Sequence, residues 1–211
     1  RKPSEYSKTL AKAGVHNCKG GSVTPDAGDF LLRDVAQRTG LIHALDAAIT
    51  DPRQPELITH DQYTMLAQRV IAIDLGYADL NDHQTLRHDP VLQIAAGRSP
   101  DPDVLLASPP TLCRLENRVD RKTLVAMSEV LVDKFLAAHP QPPESLILDF
   151  DATDDLVHGS QERRFFHGYY DHHCFLPLYV FCGGELLAAY LRPSNIDASK
   201  HSRAVLKLLV Q

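Results

Sequence analysis

Leu146-Ile147-Leu148-Asp149-Phe150-Asp151-Ala152-Thr153-Asp154-Asp155 is an apolar run that ends in a cluster of carboxylates. Strand side chains alternate with period two, so Leu146, Leu148 and Phe150 share one face while Ile147, Asp149 and Asp151 share the other. Two carboxylates roughly 7 Å apart along a strand repel unless a cation, a proton or an arginine stands between them. Their hard oxygen donors suit Mg²⁺ or Mn²⁺. The plainer reading is that Asp151 and Asp154 cap a turn or open a short helix. The downstream sequence favours the metal reading.

Residues 175–181 (FLPLYVF) are rich in aromatic and branched side chains, Gly183-Gly184 suits a two-residue turn, and residues 185–191 (ELLAAYL) return, which together predict a hairpin. Asp197 then stands where a helix cap is expected, ahead of Ala204, Val205, Leu208 and Leu209 at helical spacing for packing on a sheet. Between acid strand and hairpin, residues 158–173 combine Arg163, Arg164, His158 and His167, all suited to phosphate, with aromatics that can stack on bases. This predicts a loop beside an active centre. His172 and His173 are adjacent on an extended segment, so they point opposite ways and do not readily share one metal.

Upstream, the pattern is helical. Asp29 opens a helix with Leu31, Leu32, Val35 and Ala36 on its apolar side, Gly40 ends it, and residues 41–49 form a second. A third, with a capping box at Thr59-His60-Asp61-Gln62, runs through Met65, Leu66, Val70 and Ile73 to Gly76. Asp89-Pro90 starts a short helix over residues 91–96. Residues 105–117 read as helix, turn, helix, a pattern that would let Thr111, Arg114 and Asn117 face DNA; short helical pairs also serve as plain packing units. Asp120 caps the longest helix, residues 121 to about 139, with Leu124, Met127, Val130, Leu131, Phe135 and Leu136 on its buried side. Pro140, Pro142 and Pro143 mark a boundary.

The 211 residues, 44% hydrophobic, suffice for a core, and no run of 18 apolar residues or signal peptide appears, so a soluble, cytoplasmic protein is expected. Cys18, Cys113, Cys174 and Cys182 lack C-x-x-C spacing and read as free thiols. A net charge of −5 argues against a chain that coats nucleic acid indiscriminately, though local basic patches override a net value. Neither a phosphate-binding glycine loop nor a G-x-S-x-G elbow is present.

Asp151 to Asp155, His158 to Tyr170, Leu176 to Tyr179 and Arg192-Pro193-Ser194-Asn195-Ile196-Asp197 resemble the D-A-T-D-D, H-G-x-Q-E-x-R-F-F-H-G-Y-Y, L-P-L-Y and R-x-S-N-I-D segments of DDE-type transposases of bacterial insertion sequences. Residues 107–117 resemble that group's S-Q-P-T-L-S-R-x-E-N segment. The resemblance implies an α+β chain: a basic arm (residues 1–28), an all-helical DNA-binding and assembly region (29–143), and the start of an RNase H-like core (144–211). It implies three carboxylates holding two Mg²⁺ or Mn²⁺ ions, with Asp151 the first and Asp149 the competing assignment. Asp151 is expected to project into a pocket for a cation. DNA partners follow, namely terminal inverted repeats and target DNA, with Arg114, Arg118, Arg121, Lys122, Arg163 and Arg164 as contacts. A homo-oligomer on DNA in the bacterial nucleoid is also implied.

The missing initiator Met and an end inside a helix read as an inactive fragment of a longer enzyme. The alternative is a catalytically dead DNA-binding or assembly remnant. A stand-alone metal hydrolase built on Asp149, Asp151, Asp154 and His158 lacks further ligands.

Overall fold

The computed structural model describes residues 5–6, 14–15 and 28–210. Most of the expected basic arm lies outside the described residues; within it, β1 (Glu5–Tyr6) and β2 (Gly14–Val15) pair antiparallel. The chain divides into two compact units, Arg1–Leu124 and Val125–Gln211. No described helix is long and apolar enough to cross a membrane.

The first unit is helical. It comprises α1 (Asp29–Thr39), α2 (Leu41–Ala48), α3 (Gln62–Asp74), α4 (His83–Leu86), α5 (Pro90–Ala95) and α6 (Pro109–Asn117), with short 3₁₀ turns before α3 and α4. Gly40 joins α1 to α2 at φ 62°, a left-handed conformation that glycine adopts without penalty. α3 is the central element, packed against α1, α2, α5 and α6. Met65, Ala67, Ile71 and Ala72 along it are almost fully buried, with Ile42, Leu92, Leu112 and Leu115 from its neighbours. Each buried Leu, Ile or Met side chain contributes about 1.5–3 kcal/mol.

Two expectations change here. α1 turns Asp29 and Arg33 inward and leaves Leu31 and Val35 64% and 50% exposed, the reverse of its apolar periodicity. The cap of α3 is Asp61, whose carboxylate accepts from Thr64 N at 2.7 Å and from Thr64 Oγ1 at 2.8 Å. Asp89 caps α5 as expected, accepting from the backbone of Val91 and Leu92, with Pro90 at the first helical position.

α7 (Arg121–Ala138) crosses the boundary between the units and is capped by Asp120, which accepts from Thr123 N at 2.8 Å. Of its expected inward residues, Val130 and Phe135 are buried, whereas Leu124 and Leu136 are more than half exposed. Downstream lie β3 (Leu148–Ala152), β4 (Asp155–Leu156), β5 (Phe165–His167), β6 (His172–Phe175), β7 (Leu178–Cys182) and β8 (Glu185–Tyr190), then α8 (Ser202–Leu209). β3, β7 and β8 form an antiparallel sheet in that order, with Phe150 opposite Val180 and Ala152 opposite Leu178. Gly183, at φ 59°, makes the expected hairpin turn.

The segment expected to be a loop beside the active centre is itself a small antiparallel sheet, ordered β4-β6-β5. Phe175 belongs to this second sheet, not to the hairpin. Cys174 on β6 is fully buried, in keeping with a strand-packing role. Asp197 does not cap α8: its carboxylate accepts from Ser199 N and Oγ, and His201, at φ 75°, precedes the helix. Nor does α8 pack by its expected apolar face, since Ala204 is exposed and Leu208 is 67% exposed.

Candidate functional site

Alternation along β3 sets the chemistry of the larger sheet. Leu148, Phe150 and Ala152 turn to the side that also carries Leu178 and Val180, both essentially inaccessible. Asp149 and Asp151 turn to the opposite, solvent-facing side. On that side Asp151 stands across from Tyr179 and Asp149 across from Phe181, whose rings are 6.4 Å apart. Neither carboxylate has a hydrogen-bond or ion-pair partner among the described residues.

Their position corrects one expectation. Asp151 is exposed on an open sheet face and does not enter a pocket. No group of three His, Cys, Asp or Glu residues able to hold a metal ion occurs among the described residues. The donor chemistry still fits a hard divalent ion: two unpaired carboxylates on one face, with no nitrogen or sulfur ligand interposed.

The inserted sheet fastens the chain just after Asp151. Tyr170 donates its hydroxyl to Ala152 O at 3.4 Å, and His172 Nε2 lies 2.7 Å from the Asp154 carboxylate. The Tyr170 and His172 rings stack at 6.0 Å. Burial first, then the charges of Asp154, Tyr169 and Asp151, hold the Tyr170 phenol above its ordinary pKa, so it remains a donor at neutral pH. His173, on the other side of β6, instead meets Phe166 edge-on at 5.6 Å. The two histidines therefore diverge as expected. Sequence reasoning missed the Tyr170–His172–Asp154 group, since its members lie 18 residues or more from the carbonyl and carboxylate they hold only when the hairpin folds back.

In the helical unit the anticipated helix-turn-helix lacks its first helix. Residues 105–108 form no helix, and Gln68 captures both backbone groups of Ala107, accepting from its N–H and donating to its carbonyl at 3.0 Å each. The two prolines that open α6 also favour an extended Ser108. Asn117 bonds back to Cys113 O, and Thr111 Oγ1 lies 3.0 Å from Ser108 Oγ, leaving Arg114 as the exposed, uncommitted member of that trio.

Arg121 and Lys122 are exposed at the start of α7. Arg118 is not free: it donates to Asp51 at 3.0 Å and to Gln62 Oε1. Asp51 also binds Arg53 at 2.6 Å, and the Arg53 hydrogen bonds, aided by the Arg118 charge, lower its pKa to about 2. Arg53, Arg114 and Arg118 line a groove of about 510 Å³ floored by Met65 and Leu115. In the turn before β5, Arg163 is exposed, at φ 64°, and Arg164 is half-buried.

No curated protein and no solved structure matches the chain. The sequence model of the transposase DDE domain group 1 matches residues 8–211, nearly the whole chain. With the carboxylate-bearing strand inside that span, the chain belongs to the transposase DDE domain group 1 family.

Proposed function

We propose that this chain serves metal-dependent cleavage and transfer of DNA strands at the ends of an insertion sequence, with Asp151 as its first metal-binding carboxylate and Asp149 as the neighbouring donor. The observation that carries this is the pair of unpaired carboxylates on the open face of β3, inside a chain of this family. The succession of β3, the β7–β8 hairpin and α8 supports reading the second unit as the start of an RNase H-like core.

Bound Mg²⁺ or Mn²⁺ ions would supply Lewis-acid charge at an anionic phosphodiester, favouring in-line attack by water or a DNA 3′-OH and departure of the leaving oxygen. The chain's own contribution is placement. β3 presents Asp149 and Asp151 in fixed register, and the Tyr170 and His172 contacts restrain the backbone beyond them. Arg114, Arg121, Lys122, Arg163 and Arg164 supply charge for the DNA backbone; Arg118, neutralised by Asp51, contributes to the framework instead. Two carboxylates do not cage two ions, so further acidic ligands belong to the complete catalytic set. The 211 residues alone are expected to leave an element-end duplex uncut in Mg²⁺.

In an active transposase that contains this chain, Asp151→Asn is expected to lower Mg²⁺-dependent cleavage of an element-end duplex on the order of 10³-fold or more, because several kcal/mol of charge stabilisation depend on the ion it holds. Duplex affinity should stay within about twofold, since one carboxylate contributes little beside many phosphate contacts. Cleavage undiminished by Asp151→Asn would refute the assignment.

A further inference from the structure

α8 carries a feature that the strand site does not use. His201, Arg203, Ala204 and Lys207 line a shallow concavity of about 470 Å³ along it. Arg203 and Lys207 are four residues apart and so lie on one helix face, where two like charges repel. Neither has a carboxylate within ion-pair distance among the described residues, and both are exposed.

The turn leading into α8 rests on a further cation. Arg192 is 1% exposed; its guanidinium donates to Leu176 O at 2.8 Å, to Ala198 O at 3.1 Å and to Lys200 O at 2.5 Å. Its Nη2 is buried with no hydrogen-bond partner among the described residues, and no carboxylate pairs with it. The acid nearest in sequence, Asp197, is engaged by Ser199 N and Oγ. Residues 198–211 contain Lys200, His201, Arg203 and Lys207 but no Asp or Glu. Arg192 is held by carbonyls with no carboxylate in direct contact, the charge of Asp197 offsetting it only in part, so the turn and α8 together carry an excess of positive charge.

We propose that the exposed face of α8 bearing Arg203 and Lys207 is a second DNA-backbone site, in which both side chains bind phosphodiester oxygens while Arg192 fixes the turn that leads into the helix. The proposal rests on the DNA-processing reading above and extends it to the second unit, whereas α6 and the start of α7 belong to the first. The ligand is the phosphodiester backbone, so contact there is independent of base sequence. Arg192 is a positioning residue.

The test is fluorescence anisotropy of the 211-residue chain with a 30-base-pair duplex across a salt series, comparing wild type, Arg203→Gln/Lys207→Gln, and Arg114→Gln/Arg121→Gln/Lys122→Gln. Circular dichroism verifies that each variant is folded. Each phosphate contact contributes about 0.9 to the slope of log K against log salt, so the α8 pair should flatten the slope by about 1.8. An additive loss when both sets are combined supports separate sites. Displacement by millimolar inorganic phosphate, with no change of slope in the α8 variant, would indicate a free-anion site and overturn the proposal. A wild-type slope in the α8 variant overturns it as well but leaves the DNA reading standing. Failure of the wild-type chain to bind duplex at all removes both.

Discussion

Acidification should destabilise the helical unit through His83. Its side chain is fully buried, and its Nδ1 lies 3.1 Å from Gln68 Nε2. Ala107 fixes the orientation of that amide, since Gln68 Oε1 accepts from its N–H and Nε2 donates to its carbonyl. Nδ1 of His83 must therefore accept, and the neutral ring carries its proton on Nε2. Protonating Nδ1 would set two donors against each other. Burial, reinforced by the Arg69 charge and opposed by Asp82 and Glu116, lowers the pKa from 6.5 to about 4.

A histidine depressed in the folded state stays neutral while its unfolded counterpart takes up a proton. Its stability contribution is therefore intact above pH 6.5 and lost as pH falls toward 4. At about 1.4 kcal/mol per unit, the full loss is on the order of 3 kcal/mol, with about 2 kcal/mol gone by pH 5. Urea unfolding followed by circular dichroism at pH 7.5 and pH 5 measures this, against His83→Asn, whose side-chain oxygen can still accept from Gln68. The variant should be weaker at pH 7.5 but lose about 2 kcal/mol less on acidification. An NMR titration placing the His83 ring near 6.5, or equal acid losses in both proteins, would refute the reasoning.

Asp51→Asn should destabilise the same unit by up to about 2 kcal/mol at neutral pH, because it leaves Arg53 and Arg118 without their shared partner. The Asp51 pKa is lowered from 3.8 to about 2, so the gap between wild type and variant, read from unfolding curves, should narrow as pH falls from 3.8 through 2. Gly183→Ala should cost about 1 kcal/mol, because φ 59° strains any residue with a Cβ. No atom lies within 4 Å of that added Cβ, so Gly183→Asn, which tolerates this conformation, should cost less in the same measurement.

The sheet bearing the carboxylates was legible because two local rules agreed. Alternation put Asp149 and Asp151 on one side of β3, and Gly183-Gly184 marked the β7–β8 turn. Caps made by a side chain on its own backbone, at Asp89 and Asp120, were equally readable. What sequence did not reveal depended on distant partners. Gln68 reaches across 39 residues to bind both backbone groups of Ala107, where local pattern favoured a helix. The inserted sheet has short strands, and β5 exposes two phenylalanines, so period-two burial gives no signal there. Leu31 and Val35 on α1 show that apolar spacing reports a helix face without reporting what packs on it. Asp197 was taken by Ser199 before it could cap α8.

The proposed function stands on a cation held by Asp151 and Asp149 at the open face of β3. Mn²⁺-induced broadening of backbone amide NMR signals, recorded for the wild-type chain and for Asp151→Asn, reports whether it binds there. Broadening should centre on residues 149–152 and on Tyr179, the residue opposite Asp151, and should be lost in the variant. Broadening elsewhere, or a pattern unchanged by Asp151→Asn, would contradict it.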